Sequence, residues 1–267
     1  MALNADSTYE VFAVRYSTRT ATRSELFHGY PLYGEPDADT PFDYYFWVAR
    51  NASRTVVIDC GYEAAVGVRR KRPLTITPSD ALAEFGIAVA DVPQLIVTHA
   101  HFDHIGNVPD FSAAEIIMSR SELDFWRGAY GQRLQFKAFV EPNEIEHLVS
   151  AAAAGRVTSM GAQHSPAPGI EIVVVGGHTP GQAVVIVSTA DGPCVLASDA
   201  VHLYEEIERD RPFHVASDLL GMYRAFDQLR EMLESPGAVL VPGHDPEVMR
   251  RFPAAPGNVR DLAVRIG

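Results

Sequence analysis

The segment Thr98–Asn107, with the sequence THAHFDHIGN, concentrates potential metal ligands in ten residues. It places His99, His101, Asp103 and His104 within six residues, an H-x-H-x-D-H spacing that seldom arises by chance. Imidazole and carboxylate groups together suit zinc and related divalent ions. The spacing predicts that the first two histidines face one metal ion. The aspartate and the third histidine, one turn later, then face a second.

Three further polar residues each follow an apolar, strand-like run. His178 lies in the glycine turn GGHTPG, Asp199 in the segment ASDA and His244 in the segment PGHD. Loops that follow strands gather at one edge of a scaffold, where functional residues concentrate. We therefore expect these three residues to join the four in Thr98–Asn107 and complete a site for two metals.

With these motifs in order, the chain resembles the metallo-β-lactamase-fold hydrolases over about residues 43 to 252. The resemblance implies an α/β fold, a four-layer αβ/βα sandwich, with two divalent metal ions in the cleft between sheet edges. Zinc is favoured by the ligand types. The implied ligands are His99, His101 and His178 for one metal, Asp103, His104 and His244 for the other, and Asp199 as a bridge. Asp59, in the segment IDCG, matches a position whose carboxylate orients a ligand histidine; a turn aspartate after a strand is the alternative.

Within that superfamily the chain is similar to the N-acyl homoserine lactonases. The similarity covers Thr98–Asn107, the turn at His178 and the stretch from Ser198 to Phe213. One position departs from the pattern. The well-known lactonases place a tyrosine three residues after the bridging aspartate, where it donates a hydrogen bond to the lactone carbonyl. This chain has His202 there and Tyr204 two residues later, and either side chain could donate.

The resulting prediction is a hydrolase that opens a lactone ring, with N-acyl homoserine lactone as the expected substrate. Metal-bound hydroxide would attack the carbonyl, and Asp103 would pass the proton. Two alternatives stay open. One is a hydrolase of the same fold that acts on a phosphotriester, an aryl ester or a β-lactam. The other is a metal-dependent binding protein without turnover.

An aromatic segment precedes the first predicted hairpin. Tyr30, Tyr33, Phe42, Tyr45 and Trp47 could line an acyl pocket, although large aromatic side chains also serve as ordinary core. In lactonase relatives the loop at about residues 25–45 reaches a partner subunit. The resemblance therefore implies a homodimer.

Composition limits the remaining possibilities. The chain has 267 residues, with 22 Lys and Arg against 34 Asp and Glu, so its net charge is −12. Such a balance gives no general attraction to nucleic acid or to anionic membranes. The first residues carry no signal-peptide pattern, and no apolar run reaches the ~18 residues of a membrane span. We expect a soluble, cytoplasmic protein forming one domain over residues 1–267, in which Cys60 and Cys194 are buried thiols.

Periodicity predicts alternating strands and helices. The predicted strands are residues 9–16, 43–49, 55–59, 94–98, 115–118, 171–175, 183–188, 193–197 and 238–241. The predicted helices are residues 80–85, capped by Ser79, then 121–127, 217–233 and a segment that begins at Pro246. Residues 128–168 have weak periodicity and are predicted only as partly helical.

Overall fold

The computed structural model describes residues 5–267. Its strands are β1 Glu10–Thr22, β2 Asp39–Arg50, β3 Thr55–Ile58, β4 Gln94–Ile96, β5 Glu115–Ser119, β6 Val157–Met160, β7 Gln163–Ala167, β8 Ile170–Val174, β9 Ala183–Ser188, β10 Pro193–Ser198, β11 Val239–Pro242 and β12 Ala263–Arg265. Its helices are α1 Arg23–Leu26, α2 Ala64–Arg69, α3 Pro78–Glu84, α4 Phe102–Ile105, α5 Arg120–Arg127, α6 Leu134–Lys137, α7 Pro142–Ala153, α8 Tyr204–Arg209, α9 Leu219–Met232 and α10 Val248–Arg251.

The strands form two sheets. The first has the order β12-β1-β2-β3-β4-β5-β6 and the second the order β11-β10-β9-β8-β7. Strands β3 to β6 run parallel, and β10 pairs in parallel with β11. Parallel strands bring their carboxyl ends to the same edge of a sheet, so the loops after β3, β4, β10 and β11 can meet.

Strand β2 shows how the sequence builds the layers. Because side chains alternate between the two faces of a strand, Tyr44 and Phe46 point into the core beneath the outer helices. Tyr45 and Trp47 point into the core between the two sheets. A third core lies between the second sheet and a helical layer that includes Met222 and neighbouring residues of α9.

These three cores separate four layers, helix, sheet, sheet and helix, which confirms the predicted α/β sandwich. The predicted hairpin is also present, since Trp47 of β2 pairs with Ile58 of β3 in an antiparallel register. Both cysteines, Cys60 and Cys194, are free and buried, as expected. Within residues 5–267, no helix is both long and apolar enough to cross a bilayer.

Three local predictions need correction. Helix α3 begins at Pro78, a residue type favoured in the first helical turn, so its cap is Thr77 and not Ser79. The Thr77 hydroxyl accepts the Asp80 N–H at 3.1 Å, while the Ser79 hydroxyl instead bonds the carboxylate of Asp110.

The other two corrections concern elements that periodicity missed. The predicted partly helical region 128–168 contains α6 and α7, but it also contains the edge strands β6 and β7. Edge strands are half exposed, and β7 has the polar sequence QHSPA, so neither shows a clear apolar alternation. The short strand β12 at the other edge of the first sheet was missed too.

Candidate metal centre

The polar residues of the site follow the carboxyl ends of the strands. Asp59 comes directly after β3, His99 three residues after β4, Asp199 directly after β10, and His244 two residues after β11. Two of these junctions hold non-glycine residues in the left-handed region, Asp59 at φ 57° and Ser198 at φ 46°. Backbone strain of this kind is retained where surrounding structure fixes the residue, and it concentrates at functional sites.

The turn that carries His178 is built on glycine. Gly177 has φ 84°, and a Cβ there would lie 2.7 Å from the backbone nitrogen of Met222 in α9. Only glycine lets the turn pack this closely on the helix. Ser217 N–H then donates to the carbonyl oxygens of Gly177 and His178 and closes the turn.

All seven predicted ligands come together in two buried clusters. Within each cluster the possible ligand atoms lie within 4.8 Å of one another. The first cluster holds His99, His101, His178 and Asp199, and the second holds Asp103, His104 and His244. The six ligands other than Asp199 are divided between the clusters as the family resemblance implies.

Asp199 lies between the clusters. Its Oδ2 is 3.3 Å from His178 Nε2 and 3.6 Å from His99 Nε2, both in the first cluster. Its Oδ1 is 3.3 Å from His104 Nε2 and 3.1 Å from His244 Nε2, both in the second. One carboxylate therefore faces both clusters, with one oxygen toward each.

Three histidine rings are oriented by a hydrogen bond from Nδ1 to an oxygen of a neighbouring residue. In His178 this nitrogen donates to the Val215 carbonyl at 2.8 Å, and in His244 to the Asp43 carbonyl at 2.7 Å. His104 Nδ1 bonds Asp59 Oδ2 at 2.8 Å. Because a carbonyl oxygen can only accept, the proton of His178 and of His244 is on Nδ1 and the lone pair of Nε2 faces the cluster. Metal-binding histidines are held in this way.

The buried donor set fits two divalent metal ions. His99 Nε2, His104 Nε2 and Asp199 Oδ1 are buried and have no hydrogen-bond partner among the described residues. Buried polar atoms in native proteins are almost always paired, so three together call for a missing group. Burial lowers the pKa of His99 and His178, and it lowers that of His101 to about 4. These imidazoles are therefore neutral, the form that binds a metal.

Asp59 makes the contact expected of an orienting carboxylate. Besides His104, it accepts the Thr98 N–H at 2.9 Å and the Thr98 hydroxyl at 2.8 Å. Thr98 precedes the first motif histidine, His99. The carboxylate thus fixes both the start of the histidine segment and one histidine of the second cluster.

Glu122 in α5 was missed by the sequence analysis. Its fully buried carboxylate accepts the N–H of Ala100 and that of Gly181, both at 2.9 Å, and the indole N–H of Trp126 at 2.7 Å. Burial raises the pKa of Glu122, and these hydrogen bonds oppose the rise. The carboxylate ties together the loop that carries His101 and the turn that follows His178.

A signal for Glu122 does exist in the sequence. Ser119 and Glu122 have the S-x-x-E spacing of a helix capping box, and Ser119 Oγ indeed accepts the Glu122 N–H at 3.1 Å. That motif predicts that the glutamate reaches back to its own helix. Its carboxylate instead accepts the backbone N–H groups of Ala100 and Gly181 in the two ligand-bearing loops, which spacing alone does not reveal.

A cavity of about 360 Å³ opens onto both clusters. Phe42 lines it and stacks on His244, with ring centroids 4.3 Å apart. Tyr44, which the sequence analysis passed over, lines it as well, whereas Tyr45 and Trp47 are core between the sheets. Tyr30 and Tyr33 do not line this cavity; the first is buried core and the second packs against that core.

The two predicted carbonyl donors are placed differently. His202 lines the cavity, with Nε2 3.1 Å from Asp199 Oδ2 and its ring stacked on Phe213 at 3.5 Å. Tyr204 does not, because its hydroxyl donates to the Leu240 carbonyl at 3.0 Å in the core between the sheets. This corrects the expectation that Tyr204 could reach the substrate.

A smaller aromatic cavity of about 100 Å³ adjoins the first cluster. It shares His101 and His178 with the main cavity. Its remaining apolar walls come mostly from the segment 125–139, through Phe125, Trp126, Phe136 and Phe139. It leads on to an outer cavity of about 420 Å³, with which it shares Phe125 and Phe136.

Comparison with known proteins agrees with this geometry. The family model described as the metallo-beta-lactamase superfamily matches residues 39–244. An N-acyl homoserine lactonase of a Bacillus species is 26% identical over 170 residues, which cover 63% of this chain and 62% of that protein. The N-acyl homoserine lactonase AttM of Azorhizobium caulinodans is 29% identical over 189 residues, covering 64% of this chain and 65% of that protein. The alignments thus span slightly less than two thirds of the length of these relatives.

A solved structure shares the fold over most of its length. It is that of AidC, described as a dizinc quorum-quenching lactonase in complex with the product N-hexanoyl-L-homoserine. The TM-score is 0.69 at 17% sequence identity, and the match covers 91% of this chain and 92% of that chain. At this identity the likeness shows a common fold.

Proposed function

Because the chain belongs to the metallo-beta-lactamase superfamily, we propose that it is a dinuclear metal-dependent hydrolase that opens lactone rings, with N-acyl homoserine lactones as substrates. The observation that carries this proposal is the pair of buried clusters with Asp199 between them. Two relatives named as N-acyl homoserine lactonases support the choice of substrate.

We propose zinc for both clusters, because histidine nitrogen and carboxylate oxygen are its usual ligands outside cysteine sites. The ligands of one ion are His99, His101 and His178, those of the other are Asp103, His104 and His244, and Asp199 is shared. When bound, two such ions lower the pKa of water and polarise a carbonyl oxygen. The neutral imidazoles of His99, His101 and His178 fit this role at the first cluster.

Two residues of this chain handle the substrate at the clusters. Asp103 lines the cavity, its Oδ2 is 3.8 Å from His244 Nε2, and it is placed to accept and return a proton. His202 is placed to donate a hydrogen bond to a substrate oxygen. Its Nε2 lies in the cavity 3.1 Å from Asp199 Oδ2, and Glu206 accepts its backbone N–H at 2.9 Å, which fixes the turn.

We assign the acyl chain to the aromatic cavity next to the first cluster, with the outer cavity beyond it taking the end of a long chain. Phe125, Trp126, Phe136 and Phe139 provide apolar surface directly beside His101 and His178. This differs from the sequence-based expectation, which placed the acyl pocket in the N-terminal aromatic segment. Replacing Phe136 by Ala tests the assignment, since it should lower kcat/KM more for long-chain substrates than for short-chain ones.

We also propose that the chain forms a homodimer through the loop at residues 25–45. Leu32 in this loop is 89% exposed, and a large apolar side chain so exposed favours contact with another surface. Light scattering of the wild type and of Leu32→Asp tests this. A monomeric mass for the wild type contradicts the proposal.

The proposed reaction is tested by product analysis. Zinc-loaded protein is incubated with N-hexanoyl and N-decanoyl homoserine lactone, and the product is identified by mass spectrometry. The expected product is the ring-opened acid, heavier than the substrate by one water. Chelated protein and Asp199→Ala should both fail to form it. Intact lactone in the presence of metal-loaded protein contradicts the proposal.

A further inference from the structure

One wall of the main cavity carries two arginines, Arg19 and Arg72. Arg19 Cζ lies 5.2 Å from the centroid of the Phe42 ring, and Arg72 Cζ lies 5.7 Å from that of Tyr44. Both rings pack on His244, Phe42 face to face at 4.3 Å and Tyr44 edge-on at 5.1 Å. Each guanidinium is therefore separated from the second cluster by a single aromatic ring.

Donors on this wall lack acceptors. Arg19 Nε and the Tyr44 hydroxyl are buried and have no hydrogen-bond partner among residues 5–267. Arg72 stacks against Tyr44 and Phe102, and its guanidinium forms no ion pair with a described carboxylate. Because buried donors are nearly always paired, the two buried donors Arg19 Nε and Tyr44 Oη, beside the half-buried guanidinium of Arg72, indicate that an acceptor belongs there.

One carboxylate does approach Arg19. Glu25 Oε2 is 3.8 Å from Arg19 Nη1, but its side chain is 58% exposed and the same oxygen accepts the Thr22 N–H at 2.9 Å. An exposed pair at this distance is weak. Arg19 therefore keeps most of its capacity to bind an anion, and Arg72 keeps all of it.

We propose that Arg19, Arg72 and Tyr44 form a subsite for a negatively charged group of the substrate, a carboxylate or a phosphate. The group bound at this arginine subsite is separate from the lactone ester, which is hydrolysed at the metal clusters. The inference rests on the proposed lactonase function and extends it to lactones that carry an anionic group on the side chain in addition to the ring. In a chain of net charge −12, an anion needs such a local pair of cations to be held.

A matched substrate series tests the subsite. Zinc-loaded protein receives three γ-lactones of equal side-chain length that end in a methyl group, a carboxylate or a phosphate. We expect a higher kcat/KM for one or both anionic lactones than for the neutral one, and the better of the two identifies the anion. Arg72→Met should lower that kcat/KM roughly 10- to 100-fold, the loss of one or two charge-assisted hydrogen bonds. The neutral lactone should change less than about threefold, and Arg72→Lys should recover part of the loss.

The control variant is Arg54→Met, which removes the same charge at the opposite end of the sheet. Arg54 directly precedes β3, whose far end leads to Asp59. This variant should leave the ratio of anionic to neutral kcat/KM unchanged. The subsite is overturned if the wild type has the same kcat/KM for anionic and neutral lactones. It is also overturned if Arg72→Met lowers kcat/KM by the same factor for all three lactones.

A binding measurement separates this inference from the proposed reaction. Glutarate and butyrate differ by one carboxylate, and calorimetry with zinc-loaded protein gives the affinity of each without turnover. Wild-type protein should bind glutarate at least tenfold more tightly than butyrate, and Arg72→Met should abolish the difference. This result supports the subsite even where no lactone is hydrolysed. Equal binding of both acids overturns the subsite even in an active lactonase.

Discussion

Replacing Glu122 by Gln tests how the two ligand loops are held in place. The carboxylate accepts three N–H groups and has no cationic partner among them, so its role is to receive hydrogen bonds. Glutamine keeps one oxygen and places an amide NH2 where the other was. If that oxygen stays with Ala100 and Trp126, the NH2 faces the Gly181 N–H, and two donors oppose each other.

The expected cost follows from these contacts. The charge-assisted hydrogen bond from Gly181 is lost and its buried N–H is left unpaired, which together cost about 1.5–3 kcal/mol; the opposed amide NH2 adds to this cost, and removal of a buried charge offsets part of it. We expect the free energy of unfolding of the zinc-free protein to fall by about 2–3 kcal/mol. Zinc affinity should fall roughly 10- to 100-fold, because Ala100 lies between the first two motif histidines.

The assays are urea unfolding of the zinc-free variant and competition for zinc with a chromophoric chelator. Glu146→Gln is the matched control, since Glu146 is exposed on α7 and its change should leave both quantities within about 0.5 kcal/mol. If Glu122→Gln keeps wild-type stability and wild-type zinc affinity, the carboxylate does not hold the loops and the reasoning is refuted.

Three other substitutions have defined outcomes. Asp103→Asn should lower kcat far more than zinc affinity if the carboxylate moves a proton. A fall in kcat no larger than the fall in zinc affinity measured by titration would exclude that role. Asp59→Asn should weaken zinc binding roughly 10- to 100-fold, since the single amide oxygen cannot accept from both the Thr98 N–H and His104 Nδ1, and an unchanged zinc titration curve would contradict this. Burial raises the pKa of Glu144 from 4.5 to about 8, so the folded protein holds this proton more tightly and loses stability as the pH rises through that interval. Glu144→Gln should therefore stabilise the protein by roughly 3–5 kcal/mol at pH 9 and by almost nothing at pH 4 in urea unfolding, and a gain independent of pH would refute the assignment.

The predicted metal ligands were accessible from the sequence because they rest on local features. Four of the seven lie in one short segment, and the other three each follow an apolar strand that could be recognised from its composition. Strand ends converge in a layered α/β fold, so local order along the chain translates into proximity. The structure places all seven in two clusters for that reason.

What the sequence missed depends on orientation. Tyr44 and Tyr45 are neighbours, yet the alternation of β2 sends the first to the cavity and the second into the core between the sheets. Tyr204 opens α8 and turns its hydroxyl to the Leu240 carbonyl of β11, which no spacing rule predicts. Glu122 has the position of a helix-capping residue, and only the tertiary structure brings the Ala100 N–H to it.

Two metal ions held by these clusters should together support lactone opening. Metal-free protein is titrated with zinc while bound metal and acid release from N-acyl homoserine lactone are followed in the same sample. We predict that acid release rises to a maximum at two zinc ions per chain and disappears on chelation. Protein that binds two zinc ions per chain and releases no acid from long-chain or short-chain lactones would contradict the claim.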